Sequence, residues 1–307
     1  MSDPSTAVGR GKLILFGEHA VVFGHPAVAC SLPGGASATI SRSGDPSWSI
    51  RHPGGLIESD DDVRRAARRL LAEFDLRPEQ LQVDIELTIP VGAGLGSSAA
   101  MAVAVARAAA VLQQLDRDLA EAKIDAAVAA SETVFHGTPS GIDQQAAMGG
   151  GFFSFQKSKP TPSTTPLDVP PGRWLVARVA PSASTAQMVE SVASLRRRQP
   201  EILDSLLCEF ASLTRAGTRA LESGSWDEVG ELMDLNQGLL NAIGVSTPEL
   251  ESACSAARTA GAYGAKLTGS GGGGCIVALV DEHNLSDVQK TLQRQGDVYS
   301  FSLPSGH

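Results

Sequence analysis

Between residues 83 and 89 apolar and polar side chains alternate, with Asp84, Glu86 and Thr88 set between Val83, Ile85, Leu87 and Ile89. A period of two predicts a strand with one buried face. Pro90 stops it. From Ser97 the run Ser-Ser-Ala-Ala-Met-Ala-Val-Ala-Val-Ala-Arg-Ala-Ala-Ala-Val-Leu is rich in strong helix formers, with Ser97 or Ser98 as the expected cap. In the second half the pattern predicts strands around 174–179, 262–267, 275–280 and 297–303, and helices near 185–198, 200–222, 226–242, 248–259 and 284–295. Lys157 to Gly172, with Pro160, Pro162, Pro166, Pro170 and Pro171 among serines and threonines, reads as a connector, and Ser41 to Gly55 as a turn or loop. Strands and helices mixed without a regular βαβ repeat predict an α+β architecture in two halves, 1–165 and 173–307.

Composition narrows the partners. The chain has 307 residues, 42% hydrophobic and 19% charged, enough for a real core, and its net charge of −9 argues against nucleic acid or an acidic membrane as the main partner. A phosphate-bearing ligand must then be met by local groups. Two basic clusters, Arg64, Arg65, Arg68 and Arg69 after Asp60 to Asp62, and Arg196 to Arg198, read as solvated helix faces that match the helix dipole. The four cysteines are scattered without ligand spacing, as expected of reduced thiols. Neither a signal-peptide pattern nor a membrane-length apolar run is found, so a cytoplasmic protein is expected.

Four stretches carry chemistry. Gly92, Gly94 and Gly96 stand between the alternating strand and the alanine-rich helix, where glycines allow close approach and positive φ and the helix start favours an anion, usually phosphate. The Gly-x-Gly-x-Gly spacing followed at once by two serines fits a dinucleotide fingerprint less well, and no Gly-x-x-x-x-Gly-Lys-Ser/Thr is present. Near the N-terminus Lys12 heads an apolar strand, with Glu18 and His19 in the turn after it. Glu132 and His136 are four apart and share a helix face that Gly137 ends; Thr138 and Pro139 then signal a new helical segment with Asp143 close to its start. Finally, the four-glycine run after Lys266-Leu-Thr-Gly-Ser joins two strand-like stretches, and close backbone approach, to a ligand or to the other glycine loop, is the better reading than a linker.

Together and in this order the stretches resemble the GHMP-type small-molecule kinases, in their mevalonate branch. The resemblance rests on Gly17-Glu-His-Ala-Val-Val-x-Gly-x-Pro-Ala27, the Gly-Leu-Gly-Ser-Ser-Ala-Ala loop, His136-Gly-x-Pro-Ser-Gly-Ile-Asp143 and Leu267-Thr-Gly-x-Gly-Gly-Gly-Gly-Cys275. It implies a ribosomal-protein-S5-like N-terminal domain and a ferredoxin-like C-terminal domain with ATP and substrate in a cleft between them. The implied reaction moves the γ-phosphoryl of ATP to the C5 hydroxyl of mevalonate, giving 5-phosphomevalonate for isoprenoid precursor synthesis. By the same resemblance Asp143 is the catalytic base, and Lys12 pairs with it and stabilises developing charge. Gly92, Gly94, Leu95, Gly96, Ser97, Ser98 and Ala99 wrap the phosphates. Ser98 and Glu132 hold Mg2+, and Glu18, His19, Thr185 and Gly271 lie on the substrate side. The resemblance also allows a homodimer. One departure stands out: Ala183 occupies a place where many relatives carry a basic residue, which bears on how the substrate carboxylate is held. The rival readings are a kinase for phosphomevalonate or another small alcohol, and a nucleotide- or ligand-binding sensor that has lost catalysis on the same fold. Lys12, Ser98, Glu132 and Asp143 are all present, and a sensor has no chemical need for the whole set, which favours an enzyme.

Overall fold

The computed structural model describes residues 4–52, 55–56, 61–136, 141–157 and 162–303, with 135 and 136 described by backbone alone. They form two compact units. One comprises the chain up to Lys12, Ser31–Val91 and Leu95–Gly149; the other comprises Leu13–Cys30, Gly92–Gly94 and the chain from Gly150 onward. The sequence expectation cuts the chain once, between 165 and 173. In the structure it passes between units repeatedly, because β1 (Ser5–Phe16) and β2 (Pro26–Arg42) are long strands that each run from one unit into the other.

In the first unit β3 (Ser47–His52) pairs with β4 (Gly55–Leu56), and α1 (Asp61–Ala72) precedes β5 (Leu81–Leu87). β5 lies between residues 36–42 of β2, antiparallel, and β3, parallel, so that Ile85 faces Ala38 on one side and Ile50 on the other. Leu81, Val83, Ile85 and Leu87 are buried while the residues between them are not, as the alternation requires. β3 corrects the reading of Ser41–Gly55 as a turn. Serines and arginine flank Trp48 and Ile50, and too few apolar positions remain for a period to show. The helices α2 (Ser97–Leu112), α3 (Arg117–His136) and α4 (Ile142–Met148) complete the unit, α2 packing on both α3 and α4. The packing on α2 is tight because its face is nearly all alanine and valine. Arg65 and Arg69 lie on the surface of α1, as expected for a solvated helix face.

In the second unit β6 (Phe152–Gln156) pairs with residues 26–30 of β2 and with β7 (Ser163–Leu167). The region read as a connector therefore contains a strand. Its Pro166 is tolerated because β7 is an edge strand, which can do without one N–H. The remaining elements are β8 (Gly172–Ala180), α5 (Thr185–Arg198), α6 (Pro200–Ser223), α7 (Trp226–Ala242), α8 (Pro248–Thr259), β9 (Gly264–Thr268), β10 (Gly274–Val280), α9 (Leu285–Gln293) and β11 (Asp297–Leu303). The four strands form an antiparallel sheet in the order β11-β8-β10-β9. Taken with α8 and α9, that is the ferredoxin-like β-α-β-β-α-β arrangement, with α5 to α7 placed between its first strand and first crossover helix. Every residue of β10 is buried, and Leu175, Phe210, Leu240, Leu267 and Ile276 belong to one core.

Glycines set one approach that matters for chemistry. A side chain on Gly230 of α7 would collide with the Tyr263 backbone, and one on Gly264 with the backbone of Gly230. Helix and strand therefore meet backbone to backbone, which brings Asn236 and Gln237 of α7 against β9. All four cysteines are free thiols, three of them buried. No helix among the described residues is long and apolar enough to cross a membrane.

Candidate active site

Lys12 lies well inside β1, and its Nζ is 2.6 Å from Asp143 Oδ1 near the start of α4. The expectation of Lys12 at the head of the strand is corrected, since the strand begins at Ser5. The two side chains are 10% and 22% exposed, so the pair is sheltered but reachable. The lysine stem is held from above by the glycine loop: Lys12 N–H donates to the carbonyl of Leu95 at 2.8 Å, and a Cβ on Gly96 would stand 2.9 Å from Lys12 Cγ. Only glycine lets the loop lie so close there, with φ +73°.

Gly96 is also the N-cap of α2, in left-handed conformation and without a side-chain cap hydrogen bond. The expected serine cap is therefore corrected. Ser97 and Ser98 are already inside the first turn, and the side chain of Ser98 stands next to the Glu132 carboxylate of α3. The first amides of α2 at Ser97, Ser98 and Ala99 are left without that cap, as an anion site at a helix start requires. Gly92 and Gly94 also have positive φ, 66° and 79°.

Glu132 is 1% exposed. Burial, reinforced by the negative charge of Asp143, pushes its carboxyl up to about 7, against the opposing pull of the neighbouring Ser98 hydroxyl and the Lys12 charge. Among the described residues no three His, Cys, Asp or Glu side chains gather into a metal cage. One buried carboxylate beside one hydroxyl instead suits a hard cation that takes most of its oxygens from phosphate and water. His136, Gly137, Thr138 and Pro139 lie outside the residues whose side chains are described. An apolar cavity in the same unit is lined by Ile50, Leu70, Met101 and Val105 together with Ser98, and the buried indole nitrogen of Trp48 on its wall has no hydrogen-bond partner among the described residues.

The second unit gathers another set. Gly17, with φ +87°, leads into Glu18 and His19, and His19 itself holds φ +59°, a conformation uncommon outside glycine. The His19 Nε2 is 2.8 Å from the carbonyl oxygen of Ser270. A carbonyl only accepts, so Nε2 carries the proton and a neutral ring keeps Nδ1 as an acceptor. Burial drives the imidazole below its ordinary pKa, more strongly than the Ser270 bond and the Glu18 charge raise it, so the ring is neutral at neutral pH. Thr185, first residue of α5, has its hydroxyl 3.4 Å from that of Ser270. Gly269 and Gly271 to Gly274 all have positive φ, and Gly272 N–H donates to the Val245 carbonyl at 2.8 Å. The four-glycine segment is thus a fixed loop rather than a linker. A Cβ on Gly269 would lie 3.3 Å from the Cα of Gly94, which is the close approach of the two glycine loops read from the sequence.

Glu18 lies differently. It is 1% exposed and its carboxylate is bonded to the Lys266 ammonium, with Asn236 Nδ2 donating to Oε2 at 3.2 Å. The sequence reading assigned Lys266, Asn236 and Ser270 no role. A signal existed for Lys266: a lysine in the apolar run Gly-Ala-Lys-Leu-Thr must find a buried partner, and Glu18 sits in a similarly apolar stretch.

Comparison with known proteins identifies the family. The pattern described as GHMP kinases N terminal domain matches residues 61–151, and that described as GHMP kinases C terminal matches residues 218–298. The chain is 36% identical over 288 residues to a mevalonate kinase of Methanothermobacter thermautotrophicus, covering 89% of each. It is 37% identical over 303 residues to one of Pyrococcus horikoshii, covering 89% of this chain and 88% of the relative. Among solved structures, the L. major mevalonate kinase in complex with R-mevalonate superimposes with a TM-score of 0.88 at 28% identity over 99% of both chains. With both GHMP patterns in place and this likeness over nearly nine-tenths of its length, the chain belongs to the mevalonate kinase family of the GHMP kinases.

Proposed function

We propose that this protein transfers the γ-phosphoryl group of ATP to the C5 hydroxyl of mevalonate. The observation that carries the reading is the 2.6 Å Lys12–Asp143 pair near a buried Glu132 that neighbours Ser98. Phosphoryl transfer asks little covalent chemistry of a protein and much positioning and charge. Asp143 takes the proton of the attacking hydroxyl as the new O–P bond forms. The bond from the γ-phosphorus to the bridging oxygen breaks, its electrons leave with ADP, and Lys12 balances the negative charge that develops. Ser98 and a deprotonated Glu132 hold Mg2+, which neutralises phosphate charge when bound. The uncapped amides of 97–99, with Gly92, Gly94, Leu95 and Gly96, receive the phosphates.

His19, Thr185 and Gly271 of the second unit are assigned to the alcohol substrate, His19 accepting a hydrogen bond from a hydroxyl through Nδ1. Ala183 leaves no cation ahead of Ser184 and Thr185, so hydroxyl and backbone groups take a larger part in holding the carboxylate.

The test is ADP release, followed by a coupled assay, with mevalonate, phosphomevalonate, homoserine and galactose offered separately. Turnover with mevalonate at least about a hundredfold above the other three is expected, since a site built to hydrogen-bond one substrate strongly rejects misfits. Preference for another alcohol reassigns the substrate, and nucleotide binding without turnover on any of them supports a sensor.

A further inference from the structure

Lys266 and Glu18 are both fully buried in the second unit, with side chains 0% exposed. An ion pair in that position needs a reason other than stability, because desolvating two charges costs as much as their attraction returns, and apolar residues of similar size do as well. The surroundings supply one. Lys266 Nζ also donates to the Leu267 carbonyl at 2.7 Å, and Asn236 holds the other oxygen of Glu18. Two residues further along β9 the Thr268 hydroxyl donates to the carbonyl of Ile14 at 3.0 Å and accepts from its N–H at 3.2 Å. β9 and the end of β1 are therefore braced at two points, immediately before the second glycine loop and immediately before the Glu18-His19 turn. What both braces lead into is the His19 Nε2 to Ser270 bond.

We propose that Lys266 is a positioning residue: by fixing Glu18 it locks the His19 turn to the second glycine loop, so that His19 and Ser270 meet the alcohol substrate as one rigid element. Glu18 then acts from inside the protein through Lys266 rather than by touching the substrate. The inference rests on the assignment of His19 to the alcohol, and its test includes an arm that does not.

The experiment compares wild type with Lys266→Met by steady-state kinetics and by NMR of the His19 ring N–H, identified by its absence in His19→Gln. Lys266→Met is expected to raise KM for mevalonate about tenfold, roughly the loss of one good hydrogen bond's worth of ordering, with kcat within about threefold and KM for ATP unchanged. The His19 ring N–H, protected in wild type, exchanges too fast to be seen. A folded variant with wild-type KM and a protected His19 N–H overturns the proposal, as does a fall in kcat with KM unmoved. If Lys266→Met does not fold, the neutral pair Glu18→Gln with Lys266→Met leaves no unpaired charge and is read the same way. Asn236→Ala, which removes a single hydrogen bond to Glu18, is expected to show the same split at about threefold. Should mevalonate prove not to be the substrate, the protection of the His19 N–H alone decides whether Lys266 locks the turn.

Discussion

Each of the two units holds a lysine–carboxylate pair among its candidate site residues, Lys12–Asp143 in one and Lys266–Glu18 in the other, and the two pairs differ in burial. Lys12 and Asp143 are 10% and 22% exposed, whereas Lys266 and Glu18 are sealed at 0%. A pair that solvent reaches can be opened by a ligand, and its charges then serve a reaction. A sealed pair has nothing to meet and serves only to hold shape. We assign the same two functional groups to chemistry in one unit and to architecture in the other, and burial is the physical difference between them.

If this contrast is right, the largest effects on turnover come from the reachable pair. Lys12→Met is expected to lower kcat by about 10²- to 10³-fold, the range for removing a charge-stabilising donor, with KM for ATP little changed. Steady-state kinetics at saturating Mg2+ checks this. The sealed pair is expected to dominate stability: Lys266→Met leaves a buried unpaired carboxylate and costs about 3–5 kcal/mol in denaturant unfolding, while replacing both partners by neutral groups recovers most of it. A loss below about 1 kcal/mol for the single variant would mean that the pair is solvated.

Glu132 sharpens the comparison with a smaller effect. Its carboxyl, ordinarily at 4.5, is raised to about 7. Between those values the folded protein keeps a proton that the unfolded chain gives up. The contribution, on the order of 3 kcal/mol, is therefore fully present in acid and is lost as pH rises through about 7. Unfolding free energies at pH 5 and pH 8 should show this difference in wild type relative to Glu132→Gln. The same proton competes with Mg2+, so the metal concentration for half-maximal activity should rise as pH falls below about 7. In Glu132→Gln it should be high and flat with pH.

Much of the fold was legible in the sequence. The period-two run became β5, the alanine run became α2, and each strand and helix expected in the second half formed near its expected bounds. Elements with weak internal period escaped: β3, whose apolar positions are too few, and β7, whose proline argues for a loop. In the candidate site, glycines, serines and an aspartate near a helix start were singled out as candidates, because they leave a short-range signature, while their roles came from the resemblance. Lys266, Asn236 and Ser270 were not, since their roles depend on partners some 250, 220 and 250 positions away, as the Lys266–Glu18, Asn236–Glu18 and Ser270–His19 contacts show. A charged residue in an apolar strand shows that a partner exists without showing which.

The central claim is most directly tested by the single-turnover rate of phosphoryl transfer to mevalonate at saturating ATP and Mg2+, measured on Asp143→Asn beside Lys266→Met. The prediction is a fall of at least about a hundredfold for Asp143→Asn, as for a lost general base, and a rate within about threefold of wild type for Lys266→Met once mevalonate is saturating. A near-normal rate for Asp143→Asn, or the reverse ranking of the two variants, would contradict the account.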